Sequence, residues 1–272
     1  MPAKIITFHS YKGGTGKSFL SLNTAAYLAY KLGNDVAVLD FDFRAPTLIH
    51  KFPTGEKVRF LNEYLEGGRV LLDFLYNRST EIWGDQPPQS TFSVAYASSR
   101  SSDMQEMQMK TRQWQQRALG LLMRGLQTIR NAYDWVIIDS SPGVTYDSLN
   151  AMSSSDAVVL VATPDRVDIQ GTLEMSGDIY PSLVKFGAQP ALVLNKIPWL
   201  GVSGESGSKL YPTEGEEERF REEVDIPVIS RCPCYCDSSL IENTLLVTEC
   251  EDHPLLDNVR DVVHYFQTLR GR

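Results

Sequence analysis

The sequence predicts one doubly wound α/β domain, a mainly parallel sheet with helices on both faces. Three observations lead there. Short β-rich runs alternate with helical stretches along the 272 residues, and repeated strand–helix–strand units build a parallel sheet through right-handed crossovers. Most of the runs are apolar without interruption, the pattern of strands covered on both faces. The first run ends in a glycine-rich turn that opens the first helix, a place where the chain must wrap more tightly than a side chain allows.

Taken in order, the first strand is Ile5-Ile6-Thr7-Phe8, and the first helix follows over 18–32. The second strand, Val36-Ala37-Val38-Leu39, runs into Asp40-Phe41-Asp42-Phe43-Arg44. Residues 53–100 are less regular, with turn signals at Gly67-Gly68 and Pro87-Pro88, and read as an elaboration of the domain. A helix is expected within 107–133. Trp135-Val136-Ile137-Ile138, Ala157-Val158-Val159-Leu160-Val161 and Ala191-Leu192-Val193-Leu194 are further strands, with a helix over 168–186 between the last two. A Gly/Ser-rich loop at 201–207, an acidic stretch at 214–225, a short strand Val228-Ile229 and a helix over 255–269 complete the chain. No internal repeat or linker divides it, so one domain over 1–272 is expected.

Bulk numbers narrow the function classes. Apolar residues make up 42% and charged residues 22%, enough for a packed core. The net charge of -8 argues against a surface that coats nucleic acid throughout. No apolar run approaches the roughly 20 residues of a membrane helix, and residues 1–4 show no signal-peptide pattern. Four cysteines do not suggest a disulfide scaffold. A cytoplasmic protein is expected.

The chemistry concentrates where strands end. In Ser10-Tyr11-Lys12-Gly13-Gly14-Thr15-Gly16-Lys17 the glycines let backbone N–H groups converge on phosphate oxygens, and the helix N-terminus adds partial positive charge there. Lys17 would reach the terminal phosphates and the Ser18 hydroxyl would bind Mg2+. The usual pattern asks for glycine where this chain has Tyr11. Alternation sends Asp40 and Asp42 to one face of the second strand, with Asp42 beyond its carboxyl end, where ligands sit in open α/β sheets. A buried strand delivers Asp139 in Asp139-Ser140-Ser141-Pro142-Gly143 to the same edge, the position that holds Mg2+ through water. Asn195, after another apolar strand, carries an amide able to donate to and accept from adenine.

Lys12-Gly13-Gly14-Thr15-Gly16-Lys17-Ser18 resembles the deviant Walker A loop of the MinD/ParA ATPases. The resemblance implies a P-loop NTPase fold and ATP and Mg2+ as cofactors. It implies nucleotide contacts from Lys12, Gly13, Gly14, Thr15, Gly16, Lys17, Ser18 and Phe19. It further implies that Lys12 contacts the nucleotide of a partner subunit in an ATP-bound homodimer, as an arginine finger would. Asp42 falls where the family orients the attacking water, which makes Lys12, Lys17 and Asp42 the catalytic expectation and Ser18, Asp139 and Asp42 the metal set. Ser140 and Ser141 stand where the family often has Thr-Pro. Asn195 and Pro233 match positions near the base. An activating partner protein and slow hydrolysis of ATP follow from the same resemblance, in a cycle suited to positioning DNA, cargo or a division complex.

Two other functional readings stay open. Cys232, Cys234 and Cys236 alternate and could gather thiolates, with Cys250 and His253 to complete a set, as in a nucleotide-dependent metal-insertion protein; buried structural cysteines are the plainer account. A metabolic P-loop transferase or ligase would use 53–100 as a substrate lid. Lys110, Arg117 and Arg124 fall seven apart, a basic stripe expected on one helix that could meet DNA phosphates or an acidic partner. The last helix carries Leu255, Val259, Val262, Val263, Phe266 and Leu269 on one stripe. MinD-like relatives anchor to membrane through such a helix, but Asp257 and Asp261 near Arg260 disfavour a membrane face here, and packing against the sheet is expected.

Overall fold

A computed structural model describes residues 2–54, 57–185, 187–201, 208–235 and 245–269. In chain order, β1 (Lys4–His9) leads through the glycine turn into α1 (Lys17–Tyr30), and β2 (Val36–Phe41) into the short α2 (Leu48–Lys51). Then come α3 (Leu61–Glu66), a 3-10 turn at Leu71–Phe74, β3 (Tyr76–Asn77), α4 (Ser79–Trp83) and β4 (Phe92–Ala95). The middle of the chain forms α5 (Ser101–Gln108), α6 (Arg112–Ile129), β5 (Trp135–Ser140), α7 (Tyr146–Ser153), β6 (Ala157–Ala162) and α8 (Arg166–Lys185). The last part holds β7 (Gln189–Ile197), the hairpin β8 (Trp199–Gly201) and β9 (Ser208–Leu210), α9 (Glu214–Val224), β10 (Val228–Pro233), α10 (Leu246–Glu249) and α11 (Leu255–Thr268).

Among the described residues one eight-stranded sheet has the order β10-β7-β6-β1-β5-β2-β4-β3. Its pairs are parallel except β3 with β4. Alternation explains the unbroken apolar runs. Val36 and Val38 of β2 pack with α1 and α11 in one core layer, while Ala37, Leu39 and Phe41 pack with α6 in the other. The chain leaves β1 for β2, returns to β5 between them, and then crosses to β6 on the other side. That reversal puts the carboxyl ends of β1, β2 and β5 side by side, where ligands bind in open sheets.

Residues 53–100 do more than elaborate. Their strand β4 pairs in parallel with β2 over Val36–Phe92 to Leu39–Ala95, so this segment widens the main sheet. Its signal, Phe92-Ser93-Val94-Ala95, is short and holds a serine, which masked it. The predicted basic stripe is also corrected. Thr111 caps α6, its hydroxyl accepting from Trp114 N at 3.2 Å, so Lys110 lies in the joint between α5 and α6 and off the helix that carries Arg117 and Arg124. Lys110 Nζ instead bridges Glu66 at 2.7 Å and Glu106 at 2.6 Å.

The apolar stripe of α11 is buried against the sheet. Phe266 lies against Trp135 and Phe8, with ring centroids 5.6 and 6.2 Å away, and Val259 and Val262 are fully enclosed. Lys4 Nζ donates to the carbonyls of Phe266 and Leu269 at the end of this helix, a cation where the helix dipole favours one.

Candidate nucleotide and metal site

The turn between β1 and α1 is built by two glycines with positive φ, Gly14 at 80° and Gly16 at 90°. At Gly16 the requirement is double, because a Cβ would also land 2.3 Å from the Asn195 side-chain nitrogen. Gly16 is the N-cap of α1 and contributes no side-chain cap. The first N–H groups of the helix are therefore left for an outside acceptor, and the dipole makes an anion the favoured one. A cleft of about 350 Å3 opens over this turn. Gly13 to Phe19, Asp42, Leu48 and Lys51 are among its lining residues.

One lysine and one asparagine hold the turn in shape. Asn195 Nδ2 donates to the Thr15 carbonyl at 2.7 Å, and Lys196 Nζ donates to the Gly14 carbonyl at 2.9 Å. Lys196 itself takes the left-handed conformation, φ 57°. Ser10 accepts from Gly143 N at 2.8 Å through its carbonyl, which ties the loop after β5 to the loop after β1. Tyr11, standing where glycine is usual, turns its ring outward onto α8. There Gly171 makes room: a Cβ would come 2.1 Å from the tyrosine ring. Sequence reading missed Gly171 because only the fold brings it to Tyr11.

At the cleft floor Lys17 Nζ donates to Asp139 Oδ1 at 2.5 Å and to Ser18 Oγ at 3.2 Å. Lys17 and Asp139 are both buried. The second Asp139 oxygen is buried without a hydrogen-bond partner, an acceptor that costs free energy unless something meets it. A carboxylate and a hydroxyl side by side are the hard oxygen donors that suit Mg2+. The residues present thus fit Mg2+ with a nucleotide phosphate above them.

The two aspartates at the end of β2 separate in role. Asp40 pairs in register with Asp139 across β2 and β5. It accepts from Thr47 N and Leu48 N, both at 3.0 Å, and so caps α2. Burial, with the Asp139 and Asp42 charges adding, pushes the Asp40 carboxyl up to about 8. Asp40 thus ties the start of α2 to the end of β2. Asp42 lines the cleft, its Oδ1 fixed by Arg44 N and Ala45 N, both at 3.1 Å.

Lys12 lies outside this set. Its Nζ reaches Asp165 Oδ1 at 3.2 Å, with both side chains well exposed. That same oxygen accepts from Val167 N and Asp168 N at the start of α8. The Asp168 N–H first, Lys12 second and the Val167 N–H last hold the Asp165 carboxyl below the usual range.

Beside the turn, Gly16, Phe19, Asn195 and Pro233 line a second, smaller hollow with Cys234 and Tyr235. The fold therefore gathers the predicted base-side residues next to the phosphate turn. Sequence reading missed Lys51, whose ammonium burial makes less basic, and which approaches Glu249 at 3.8 Å. It also missed His9, which sits under the turn with Nδ1 2.9 Å from Ser140 Oγ. Burial first, then the nearby Lys17 charge, lowers its ring to about 3.

The cysteine reading does not gain support. Cys232 is enclosed in the apolar core, and burial pushes its thiol up to about 12. Cys236 lies outside the described residues. Among the described residues no three His, Cys, Asp or Glu side chains are grouped to hold a metal.

Comparison with known proteins agrees with this geometry. The family model for the AAA domain matches residues 3–180. An uncharacterised ATP-binding protein of Methanocaldococcus jannaschii is 28% identical over 179 residues, covering 64% of this chain and 60% of that relative. The sporulation initiation inhibitor protein Soj of Bacillus subtilis is 22% identical over 229 residues, 84% of each chain. In fold, the chain superposes on the septum site-determining protein MinD with Mg-ADP from Pyrococcus horikoshii with a TM-score of 0.71, at 20% identity, covering 99% of this chain and 98% of that one. With its glycine turn, its paired lysine and aspartate and its mainly parallel sheet, the chain belongs to the AAA-domain family, as a P-loop protein of the MinD/ParA kind.

Proposed function

We propose that this protein is an ATP-dependent dimerisation switch that binds and slowly hydrolyses ATP. One observation carries the reading: Lys17, Ser18 and Asp139 meet at the floor of a cleft that opens over the uncapped N-terminus of α1. Backbone N–H groups of residues 13–18 bind phosphate oxygens, and Lys17 offsets their charge. Ser18 and Asp139 would hold Mg2+, which when bound supplies a positive charge against the phosphates. Asp42, held at the cleft by two backbone donors, orients the attacking water and takes up its proton at a carboxylate oxygen. Water adds to the terminal phosphorus, and ADP leaves with the electron pair of the broken P–O bond.

Lys12 completes the switch from across a symmetric interface. For that it must leave Asp165, an exposed contact that costs little to break. Asn195, Phe19 and Pro233 flank the base. The names of the relatives, a septum site-determining protein and a sporulation inhibitor, support a role in spatial positioning of DNA, a cargo or a division complex, with an activating partner protein. No described helix is long and apolar enough to cross a membrane; a cytoplasmic setting is part of the proposal.

Light scattering tests it. Wild type should be a monomer with ADP and a dimer with ATP and Mg2+. Lys12→Ala should remain a monomer in both, and Asp42→Ala should stay dimeric once ATP is added. A size that ignores nucleotide in all three proteins would sink the switch.

A further inference from the structure

Away from the cleft, the outer face of α6 meets the turn that follows α3. A groove of about 440 Å3 lies between them, with Gly67, Gly68 and Gly120 in its lining and Arg117, Leu121 and Arg124 along its helix side. Gly67 and Gly68 have φ of 96° and 87°, so the turn reverses in a conformation that side chains disfavour and leaves the groove open. The walls are fixed in place. Tyr64 Oη donates to the Leu121 carbonyl at 2.5 Å. Trp114 Nε1 and Lys110 Nζ both donate to the Glu66 carboxylate, at 3.3 and 2.7 Å.

The charges here are selective. Lys110 and Arg130 of the same basic segment are paired with carboxylates. Arg117 and Arg124 are exposed and make no ion pair among the described residues, and neither does Arg69 beside the turn. Three guanidinium groups here have no direct carboxylate contact among the described residues, on a chain of net charge -8; Arg117 acts on Glu66, at the groove's edge, through its charge alone. Next to them Val70, Leu72 and Met123 are each more than half exposed.

We infer that this groove docks an acidic, extended segment of a protein partner, with two carboxylates placed on Arg117 and Arg124 and an apolar side chain between them. Seven helical residues separate the arginines by about 10 Å along α6; in an extended chain residues i, i+2 and i+4 share one face and span about 13 Å, within reach of two long arginine side chains. Arginine binds carboxylate through a planar fork, a match that lysine lacks. The same features fit DNA poorly. A concave groove offers a duplex two or three cations at its rim, short of the roughly six or more phosphate contacts that drive such binding, and Val70, Leu72 and Met123 have nothing to meet on a phosphate backbone. The surface uses no residue of the nucleotide cleft, so this inference stands or falls apart from the switch.

The test is fluorescence anisotropy with a labelled synthetic peptide holding Glu-Ala-Leu-Ala-Glu at its centre, read with and without Mg-ATP. Wild type should bind it in both conditions, more weakly as salt rises, and should not bind the peptide with both glutamates replaced by glutamine. Arg117→Glu with Arg124→Glu should weaken binding at least tenfold. Gly120→Leu, which keeps both arginines and fills the groove with a good helix former, should weaken it as well. Circular dichroism melting checks that both variants fold. Three results would overturn the inference: no binding up to about 1 mM peptide, the weak end of specific recognition; equal binding by wild type and variants; or, without peptide binding, a duplex DNA shift or a self-association that the double arginine variant abolishes.

Discussion

His9 shows how a single buried ring ties the phosphate turn to the rest of the sheet. Its Nδ1 meets Ser140 Oγ, whose hydroxyl is also 2.9 Å from the Phe8 carbonyl. In the unfolded chain histidine takes a proton near 6.5, while the buried ring holds out to about 3. Between those values the unfolded state binds the extra proton, so stability that is full above pH 6.5 falls as the pH drops toward 3, by up to about 1.4 kcal/mol per unit. His9→Asn keeps a short polar side chain that does not titrate, and its acid limb should be flatter. Urea unfolding at neutral pH and at about pH 5 reads the difference; equal slopes would mean that the ring is not held neutral. Cys232 makes a second test at this scale. With its thiol pushed up to about 12, it should stay unalkylated by iodoacetamide in the folded protein at neutral pH and react once unfolded, as mass spectrometry of the digested peptides would report. Rapid labelling of the folded protein would revive a thiolate role for the 232–236 segment. The motif residues were legible because each is a local signal: Lys17, Ser18 and Asp139 follow from strand, turn and helix start. The Asp40 role was not, since a carboxylate that caps α2 and one that faces a cleft look alike until the backbone donors of residues 47 and 48 are in place.

At the scale of elements, α6 carries two glycines with opposite demands. A Cβ on Gly125 would come 2.1 Å from Tyr64 Oη and 2.9 Å from the Leu71 Cβ. On Gly120 it would meet only the end of the Arg124 side chain, at 3.6 Å. Gly125→Ala should therefore push α3 and the 3-10 turn off α6 and cost about 1–3 kcal/mol. Gly120→Ala should be neutral or stabilising by up to about 1 kcal/mol, as the better helix former. Thermal melting of the two variants distinguishes them, and equal melting points would mean that Tyr64 does not seat against α6. The joint at residues 109–111 belongs here too. Lys110, Arg117 and Arg124 have helical spacing, but the Thr111 cap and the two glutamates around Lys110 end one helix and begin another. Spacing alone cannot register that break, because a cap is recognised by the N–H it satisfies.

At the scale of the whole molecule, α11 is part of the core. Its Phe266 sits between Phe8 and Trp135 with no exposed surface. Phe266→Ala should cost about 3–5 kcal/mol of stability and leave vesicle binding unaltered, measured by denaturant unfolding and by flotation. Loss of vesicle binding with little change in stability would instead make this stripe an outward face. The basic stripe that suggested a DNA or acidic-partner surface resolves in the same way. Lys110 is taken up by Glu66 and Glu106 and Arg130 by Asp156, while Arg117 and Arg124 line one groove.

Sequence alone determined the fold class, the strands that carry the cleft, and the residues at its floor. Those properties rest on short-range patterns: apolar runs, a glycine turn, a carboxylate at a strand end. Tertiary structure alone decided that Phe92–Ala95 joins the main sheet, that Gly171 makes room for Tyr11, that Lys12 lies on Asp165, and that Asp40 supports α2. Each of these is a contact between residues far apart in the chain or a choice among competing partners. Such choices are settled by distance and burial, and a one-dimensional pattern does not carry them.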